Sequence, residues 1–428
     1  MLRLGFVGDP YGSGLAGELM DDALARFVRY ARIDTQSDRE SLERPSTAKQ
    51  LDLSRLLEGE LGELGLTEID LTEAGHLFAT LPASGGGGGT TVGLLAHVDT
   101  APDASGTGVD PQIWRDYDGG EIVLPGDETQ ILSPATSPLL GERVGHDIVT
   151  SDGTTLLGAD DKAGVAAIMA ALTWLVAHPD APRPRLRIGF TVDEETGHGT
   201  ETFDIARFGA DFAYTVDGGV IGEIQNETFS AIELTVTFHG VGIHPGDAKG
   251  ILVNPIKLAA RFIESLPADG LSPETTEERE GFVHPYKIVG GANDTAVTLI
   301  VRDHDGAKLE EHYDLAVHLA EEAIAHEPRA RLTIHRWDQY RNMGDALERV
   351  PHVLEAALEA ARRAGLDPRL TSIRGGTDGS RLTEMGLPTP NLFTGGNEYH
   401  SVKEWISVQD LAISAATVVE LVRLLGEQ

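Results

Sequence analysis

Three short apolar runs in the sequence are each followed by acidic or histidine side chains. The runs are Thr91–Ala96, Leu186–Val192 and Phe212–Val216, and each is typical of a buried strand. They lead in turn to His97 and Asp99, to Glu194 and Glu195, and to Asp217. Because ligands in open α/β sheets bind beyond the carboxyl ends of the strands, these side chains are predicted to converge on one site.

The His-x-Asp pattern occurs three times, as His97/Asp99, His178/Asp180 and His312/Asp314. The second lies at a predicted helix end and the third within a solvated helix, so both are interpreted as structural or surface features. The first follows a buried strand, where residues i and i+2 share a face. Asp99 can therefore reach the ring of His97, as a carboxylate does when it fixes the tautomer of a metal-bound imidazole.

Adjacent glutamates are common in this chain, but one pair alone follows an apolar strand. The other pairs are interpreted as solvated charge: Glu277/Glu278, Glu310/Glu311 and Glu321/Glu322. Glu194 and Glu195 precede a backbone-permissive loop, Thr196–Gly199. Two adjacent carboxylates repel each other unless a cation is present. One of them can therefore bind a metal while its neighbour works as a base.

Two aspartates, Asp160 and Asp161, stand at the entry to a helix predicted from about Lys162. Helix capping alone explains one of them but does not need two. Asp217 is also open to interpretation as a turn residue, and His400 as an exposed loop histidine. Taken together, two His and several carboxylates match the ligand set for paired zinc-like ions. The chain has no Cys, so His, Asp and Glu must supply any such site.

The balance of charge excludes several classes of partner. The 428 residues include 34 Lys and Arg against 68 Asp and Glu, a formal net charge of −34. Nucleic acids and anionic membranes are bound by basic surfaces, so neither is expected as a partner. The first twenty residues lack the apolar core of a secretory signal, and no apolar stretch is long enough to span a bilayer. A cytoplasmic protein is therefore expected.

The order of the predicted elements indicates an α/β fold with a mostly parallel sheet. From about Asn226 the pattern changes to an alternating strand, a helix, a strand at Thr295–Val301, a second helix and a strand at Arg331–Trp337. That order predicts a small α+β (ferredoxin-like) domain with an antiparallel sheet and two helices. We expect a catalytic domain formed by residues 1–225 and 339–428, with an inserted domain at residues 226–338.

Several longer motifs occur in an order that is more specific than any single pair of residues. They are HVDT, GADDKAG, DEETG, VDGG, HPGDAKG, IRGGTDG and NLFTGGNEYH. With these motifs the sequence resembles the peptidase T family of di-zinc tripeptide aminopeptidases, part of the larger aminoacylase and glutamate-carboxypeptidase superfamily. The resemblance runs from about Asp22 to the end of the sequence.

This resemblance implies two zinc ions per chain, with cobalt or manganese as substitutes. It implies that Asp160 bridges both ions. His97 and Asp217 would complete the coordination of one ion, and Glu195 and His400 that of the other. Two ions ~3.5–4 Å apart need a shared carboxylate and a shared water to offset their repulsion.

The same resemblance assigns two further catalytic roles. Asp99 would orient His97, and Glu194 would be the general base. Metal ligation brings the pKa of a water to about 7, so that a carboxylate can take its proton. Glu194 would then pass the proton to the departing amine.

The inserted domain is implied to serve as a lid and as a homodimer surface. His244 in HPGDAKG is expected to stabilise the oxyanion, in its own site or in that of the partner subunit; the local alternative is that it caps the turn before Pro245. Arg374 in IRGGTDG is expected to hold the carboxylate of the substrate, a task that suits a forked guanidinium.

Arg302 is a further expected substrate contact. Its alternative is an ion pair with one of two nearby aspartates, Asp303 or Asp305.

The leading hypothesis is a metal-dependent exopeptidase that removes the N-terminal residue from short peptides, with tripeptides favoured by the resemblance alone. A second hypothesis keeps the scaffold and changes the substrate, to give a dipeptidase, a carboxypeptidase or an N-acyl amino acid deacylase. Pocket depth separates these activities, and the sequence does not show it. A third hypothesis is a binding protein that has lost catalysis. The presence of Glu194 and of every predicted ligand counts against it.

Overall fold

The computed structural model describes residues 14–85 and 89–428. Of the first twenty residues, where no secretory signal is predicted, the first thirteen lie outside the described residues. The chain divides into two compact units. The first unit comprises the chain up to Asn226 with Asp345–Thr371 and Thr377–Gln428, and the second comprises Glu227–Gly344 and Ser372–Gly376. No helix within the described ranges is long and apolar enough to cross a membrane.

The described residues include ten α-helices and eighteen β-strands. The helices are α1 (Leu15–Ala31), α2 (Gln50–Glu63), α3 (Ala159–Ala177), α4 (Ile205–Phe208), α5 (Pro255–Ser265), α6 (Gly306–Ile324), α7 (Gly344–Leu347), α8 (Pro351–Arg363), α9 (Asp378–Glu384) and α10 (Val408–Gly426). The strands are β1 (Thr67–Leu71), β2 (Leu77–Leu81), β3 (Thr91–His97), β4 (Gln112–Trp114), β5 (Ile122–Val123), β6 (Ile131–Leu132), β7 (Ile148–Thr150), β8 (Arg185–Thr191), β9 (Phe212–Gly218), β10 (Glu223–Thr228), β11 (Ser230–His239), β12 (Phe282–Gly290), β13 (Asp294–Asp303), β14 (Arg331–Tyr340), β15 (Arg369–Ile373), β16 (Asn391–Phe393), β17 (Gly396–Asn397) and β18 (Trp405–Ser407).

The largest sheet has eight strands in the order β1-β2-β8-β3-β9-β16-β10-β15. Its centre is parallel, since β3 pairs in parallel with β8 and β9, and β9 with β16. The pairs β1/β2, β2/β8 and β10/β16 are antiparallel. The predicted α/β class is confirmed, but the sheet is mixed and its parallel part is confined to the centre. The short connection between β1 and β2 allows only an antiparallel pair, because parallel neighbours need a long crossover.

The central strands are buried almost throughout, which is why they read as continuous apolar runs. In β3 and β8 every residue after the first is buried, as expected for parallel strands covered on both faces. The helix α3, predicted from its apolar stripe, is buried on nearly all sides because it packs against α1, α10, β3 and β9. Its many alanines allow these neighbours to approach closely.

A smaller antiparallel sheet has the strand order β17-β18-β7-β4. Trp405 in β18 pairs with Thr150 in β7, and Gly396 in β17 pairs with Ile406 in β18. These short strands were not predicted, because runs of two or three residues carry no readable alternation. The sheet fixes the segment around residue 400 beside the segment that leads into α3.

The second unit contains a four-stranded antiparallel sheet in the order β12-β13-β11-β14, with α5 and α6 packed on it. Alternate residues of β11 and β13 are buried, which matches the predicted period of two. The strand β12 was missed, because beyond its first two residues it is largely exposed and it contains Pro285. Such an edge strand lacks the apolar alternation of its neighbours.

Gly164 in α3 lies against the sheet at a point where there is no room for a side chain. A Cβ atom at this position would lie 1.8 Å from the carbonyl oxygen of Val216 in β9 and 2.5 Å from Oδ1 of Asp161. We predict that Gly164→Ala lowers the midpoint of thermal unfolding, because backbone atoms must shift. The expected loss in the free energy of unfolding is about 1–3 kcal/mol.

Gly59 in α2 provides the matched control, since it is exposed and a Cβ atom there would meet nothing within 4 Å. Gly59→Ala is expected to raise the same midpoint, because the free energy of unfolding should increase by about 0.5–1 kcal/mol. An unchanged or raised midpoint for Gly164→Ala would show that the helix–sheet contact tolerates a side chain.

Candidate metal centre

His97 ends β3, and its imidazole lies among buried carboxylates. Its Nε2 atom is 3.0 Å from Oδ1 of Asp160 and 3.6 Å from Oδ1 of Asp217. The side chain of His97 is only 2% exposed and that of Asp217 only 8%. Water is thus largely excluded from this part of the cluster, which strengthens every electrostatic interaction within it.

His400 contacts the same aspartate through the other carboxylate oxygen. Its Nε2 atom is 3.3 Å from Oδ2 of Asp160 and 3.0 Å from Oε2 of Glu195. Asp160 therefore offers one oxygen to His97 and the other to His400. The five residues predicted as metal ligands lie in one cluster, with Asp160 between the two imidazoles.

Three neighbouring strands and one loop bring these side chains together. His97 ends β3, Glu195 lies in a 3₁₀ turn just after β8, and Asp217 is near the end of β9. These strands are parallel neighbours, so their carboxyl ends lie at one edge of the sheet. His400 lies on the loop between β17 and β18 with a φ of 58°. This left-handed conformation is uncommon for a residue with a Cβ atom, and such strain is concentrated at functional sites.

Asp99 joins the imidazole of His97 to the backbone of the two glutamates. His97 Nδ1 is 3.0 Å from the backbone oxygen of Asp99 and 3.4 Å from its carboxylate Oδ1. The backbone N–H groups of Glu194 and Glu195 donate to the two carboxylate oxygens of Asp99, at 3.1 and 3.2 Å. The nearer partner of the ring is thus the carbonyl rather than the predicted carboxylate, and the carboxylate also anchors the loop after β8.

A second buried carboxylate, that of Asp193, fixes the start of the same loop. Asp193 is buried with a φ of 60°, and its carboxylate accepts from the backbone N–H of Ser46 at 2.7 Å and from the side-chain amide of Gln50 at 2.7 Å. The backbone N–H of Asp193 donates to Oε1 of Gln50 at 3.1 Å. Glu194 and Glu195 therefore follow a residue whose backbone and side chain are both held by hydrogen bonds.

The two aspartates at the start of α3 have different partners. Asp161 accepts from the backbone N–H of Gly164 at 3.2 Å and from that of His97 at 3.2 Å, so it caps the regular part of the helix and reaches the end of β3. Asp160 and Asp161 both have non-helical φ and ψ. The capping explanation therefore applies to Asp161, whereas the carboxylate of Asp160 faces the imidazoles of His97 and His400.

Burial raises the pKa of most carboxylates in this cluster, and their mutual repulsion adds to the effect. The pKa values of Asp161 and Glu194 are raised well above the usual range, and that of Asp217 is also raised. The pKa of Glu195 is raised to about 8. Asp160 differs, because hydrogen bonds from His400 and His97 outweigh its burial and lower its pKa.

The pKa values of the two imidazoles are raised, whereas burial alone lowers the pKa of a histidine. Hydrogen bonds to Asp160 and Glu195 raise the pKa of His400 to about 11. Although burial disfavours a charged ring, hydrogen bonds to Asp160 and Asp217 raise the pKa of His97. Two imidazolium groups cannot balance the buried carboxylates around them, so the cluster has the charge of a site for dications.

The donor atoms of the cluster fit this interpretation. In each of two groups of three residues, the donor atoms all lie within 4.8 Å of one another. One group is His97, Asp161 and Asp217, and the other is His97, Asp160 and Glu195. The Oε1 atom of Glu195 is buried and has no hydrogen-bond partner. A buried carboxylate oxygen without a donor is costly, and a cation would satisfy it.

The predicted substrate residue His244 belongs to the second unit and is exposed. Its Nδ1 atom accepts from the backbone N–H of Gly246 at 3.1 Å, at the start of a short 3₁₀ turn. The local alternative drawn from the sequence, a cap on the turn before Pro245, is therefore present in the structure. This hydrogen bond leaves Nε2 as the atom with which His244 can contact a substrate.

The two predicted arginines lie together in the second unit. Nη1 of Arg374 donates to the backbone oxygens of Glu278 and Glu280 at 3.0 and 3.1 Å, and Nη2 donates to Oγ1 of Thr276 at 2.9 Å. Arg302 donates through Nη1 to the backbone oxygen of Arg374 at 3.1 Å. Arg374 thus holds the loop at residues 276–280, in addition to any contact with a substrate.

Arg302 lines a cleft of about 370 Å³ together with Phe282, His284 and Ile300. Its Nε atom is buried and has no hydrogen-bond partner. Asp303, one of the two aspartates considered as an ion-pair partner of Arg302, contacts Nε2 of His312 at 3.1 Å. A cationic side chain with an unsatisfied donor beside apolar walls is suited to an anionic group with an apolar neighbour.

Three further residues of the first unit were given no role from the sequence. In the sequence, Asp161 is one of two acidic residues at a helix start, of which capping explains one, and Asp378 lies within IRGGTDG. Asp378 accepts from Oγ1 of Thr191 at 2.7 Å, and burial raises its pKa to about 6. Glu404 is buried four residues after His400. An acidic residue inside or just beyond each motif was the available signal, but only the fold shows that these side chains are buried.

Comparison with protein families gives a match that covers most of the chain. The family model described as peptidase family M20/M25/M40 matches residues 150–424. A peptidase T from an Exiguobacterium strain is 48% identical over 405 residues, which cover 95% of this chain and 98% of that protein. A peptidase T from Geobacillus thermodenitrificans is 45% identical over 410 residues, which cover 96% of this chain and 100% of that protein.

Solved structures give the same result at the level of the fold. The crystal structure of the aminopeptidase PepT from Bacillus cereus has a TM-score of 0.72 and 25% sequence identity, covering 95% of this chain and 98% of that one. A tripeptidase from Staphylococcus aureus has a TM-score of 0.75 and 22% identity, covering 96% of this chain and 99% of that one. On the family model and the two full-length relatives, the chain belongs to the M20/M25/M40 peptidase family, within its peptidase T group.

Proposed function

We propose that this protein is a metal-dependent aminopeptidase that removes the N-terminal residue from short peptides, with tripeptides favoured. The observation that carries the proposal is the single cluster in which Asp160 lies between His97 and His400, with Glu195 and Asp217 at contact distance. The similar proteins named peptidase T support the substrate class. The aminopeptidase and tripeptidase among the structural neighbours agree with it.

Two zinc ions per chain are the proposed cofactors, with cobalt or manganese as substitutes. Asp160 is proposed to serve both ions, with His97 and Asp217 for one and Glu195 and His400 for the other. When bound, such ions polarise a peptide carbonyl and lower the pKa of a water molecule to about 7. The His and carboxylate donors suit zinc, and the absence of Cys is compatible with a catalytic rather than a structural zinc site.

Glu194 is proposed as the general base. It is half-buried beside the cluster, and its backbone is held by Asp99. Burial and the charge of Asp217 raise its pKa, so its carboxylate holds a proton more readily than an exposed glutamate would. Glu194 is therefore suited to accept a proton from the attacking water and to deliver it to the departing amine. Asp99 contributes by fixing the ring of His97 and the backbone of both glutamates.

The second unit is proposed to supply the contacts to the substrate. Arg302 and Arg374 are proposed to bind the carboxylate of the peptide, and His244 to stabilise the oxyanion through Nε2. The unsatisfied Nε of Arg302 supports its part in this assignment. A lid function and a homodimer surface for residues 226–338, and a cytoplasmic location, are further parts of the proposal.

A screen of di-, tri- and tetrapeptides with free and blocked termini tests the proposed reaction, with products identified by liquid chromatography. An aminopeptidase requires a free N-terminus and releases the first residue. Release of the last residue would indicate a carboxypeptidase, and cleavage of N-acyl amino acids a deacylase. Cleavage of dipeptides alone would indicate a dipeptidase.

We predict that Glu194→Gln lowers kcat by about 10²–10⁴-fold, the usual contribution of a general base, because an amide cannot accept the proton. Thermal stability and zinc content should stay close to those of the unmodified protein. The matched control is Glu201→Gln, which changes an exposed glutamate of the same loop region that pairs with Arg44. Turnover by the Glu194 variant at the level of this control would remove Glu194 from the role of base.

We predict that chelation abolishes activity and that added zinc, cobalt or manganese restores it. The proposed ligands would hold ions that polarise the peptide carbonyl, so the protein without its metal would lack the electrophile. Activity should be followed after dialysis against a chelator, with metal content measured on the same sample. Sustained hydrolysis by a demonstrably metal-free sample would contradict the two-metal proposal.

Stability of the metal-free protein is predicted to fall as pH rises. The pKa of Glu195 rises from 4.5 to about 8 on folding and that of His400 from 6.5 to about 11. The folded state therefore binds more protons, and this stability, present in acid, is lost as pH rises towards the folded pKa values. Glu195 and His400 would have to lose these protons to bind zinc, so the stabilising effect of added zinc should be larger at about pH 7.5 than at about pH 5.5.

Melting temperatures with chelator and with zinc, measured at both pH values, check this prediction. An equal shift on zinc addition at the two pH values would show that proton release from the cluster is not coupled to metal binding.

A further inference from the structure

Glu404 is a buried acidic residue to which the proposed mechanism gives no part. Its side chain is 1% exposed. The backbone N–H groups of Leu157 and Gly158 donate to its Oε2 atom at 2.8 and 2.7 Å, and the N–H of Asp160 donates to its Oε1 atom at 3.0 Å. One carboxylate thus accepts three backbone hydrogen bonds from the segment that leads into α3. Hydrogen bonds from backbone N–H groups favour the charged form of a carboxylate.

The position of Glu404 in the chain gives this contact its significance. Glu404 follows His400 by four residues on the same loop, immediately before β18. Its side chain therefore connects the loop that carries His400 to the backbone of Asp160. These two residues approach each other at 3.3 Å through Nε2 and Oδ2. Asp160 and His400 are far apart in the sequence, and the side chain of Glu404 directly links the segments that carry them.

We propose that Glu404 is a positioning residue that fixes the spacing of Asp160 and His400 and so sets the affinity of the ion that these two residues share. The proposal rests on the two-metal function given above. Residues that orient metal ligands typically change metal affinity or activity by about 10–100-fold when they are altered. The hydrogen bond from the Asp160 N–H, together with those from Leu157 and Gly158, restrains the backbone that carries the Asp160 side chain.

The variant Glu404→Gln tests the proposal with a small change. The amide oxygen of Gln can keep the two hydrogen bonds from Leu157 and Gly158, whereas its NH₂ group then faces the N–H of Asp160. The substitution therefore breaks the link to Asp160 with the least disturbance of the rest. Metal-stripped protein is titrated with zinc against a competing chromophoric chelator, which reads binding without catalysis.

The expected result is that one of the two zinc ions binds about 10–100-fold more weakly to Glu404→Gln. In kinetic assays, raising the zinc concentration should restore kcat while KM for the peptide stays unchanged. Glu404→Asp keeps the charge on a shorter side chain, and an intermediate loss of zinc affinity is expected. If Glu404→Gln does not fold, the Asp variant is titrated in the same way and decides the question.

Asp305→Ala is the matched control for the loss of a carboxylate that accepts backbone hydrogen bonds. Asp305 accepts from the N–H groups of Ala307 and Lys308 at the start of α6, in the second unit. This variant should lose thermal stability but bind zinc as the unmodified protein does. An equal loss of zinc affinity in the control would reduce the effect at Glu404 to general destabilisation and overturn the proposal.

Two further outcomes are distinguishable. Binding of both ions to Glu404→Gln with unchanged affinity would overturn the positioning role and leave the proposed function intact. Failure of the unmodified protein to bind zinc, cobalt or manganese would overturn the two-metal function itself, and the role of Glu404 with it.

Discussion

The crowding of buried carboxylates around two imidazoles is the constraint on which the rest of this structure depends. Asp160 offers one oxygen to His97 and the other to His400, and Glu195 and Asp217 contact these same rings. So much negative charge in a buried site is unfavourable unless it is protonated, paired or balanced by cations. The raised pKa values of the surrounding carboxylates express this cost directly.

The fold keeps these like charges together by fixing their backbones. Three parallel strands end at one edge of the sheet, and the side chains that follow them have little freedom to separate. The carboxylates of Asp99, Asp193 and Glu404 accept backbone N–H groups and hold the loops that carry the cluster. The lack of a side chain at Gly164 lets α3 approach β9 closely enough to bring its first residues to this edge. Rigid surroundings of this kind are what a preorganised site requires.

The second unit combines an antiparallel sheet with two arginines whose hydrogen-bond partners differ. Its core lies between one face of the sheet and α5 and α6. Arg374 holds the loop at residues 276–280, while Arg302 keeps a buried donor without a partner beside an apolar cleft. The two arginines therefore differ in how much of their hydrogen-bonding capacity is already used. This difference could not be read from the sequence, where each is simply an arginine near a glycine or an aspartate.

The sequence by itself determined the α/β class, the buried central strands and the identity of the residues that meet at the cluster. Apolar runs that end in His, Asp or Glu indicate the central strands together with His97, Glu195 and Asp217, whereas the roles of Asp160 and His400 depend on the longer motifs that carry the family resemblance. Only the tertiary structure decided that the parallel pairing is confined to the centre of the sheet, that Asp161 caps α3 while Asp160 faces the imidazoles, and that Glu404 links two segments. These features depend on contacts between segments distant in the chain, and no local pattern records which backbone N–H group a buried carboxylate will meet.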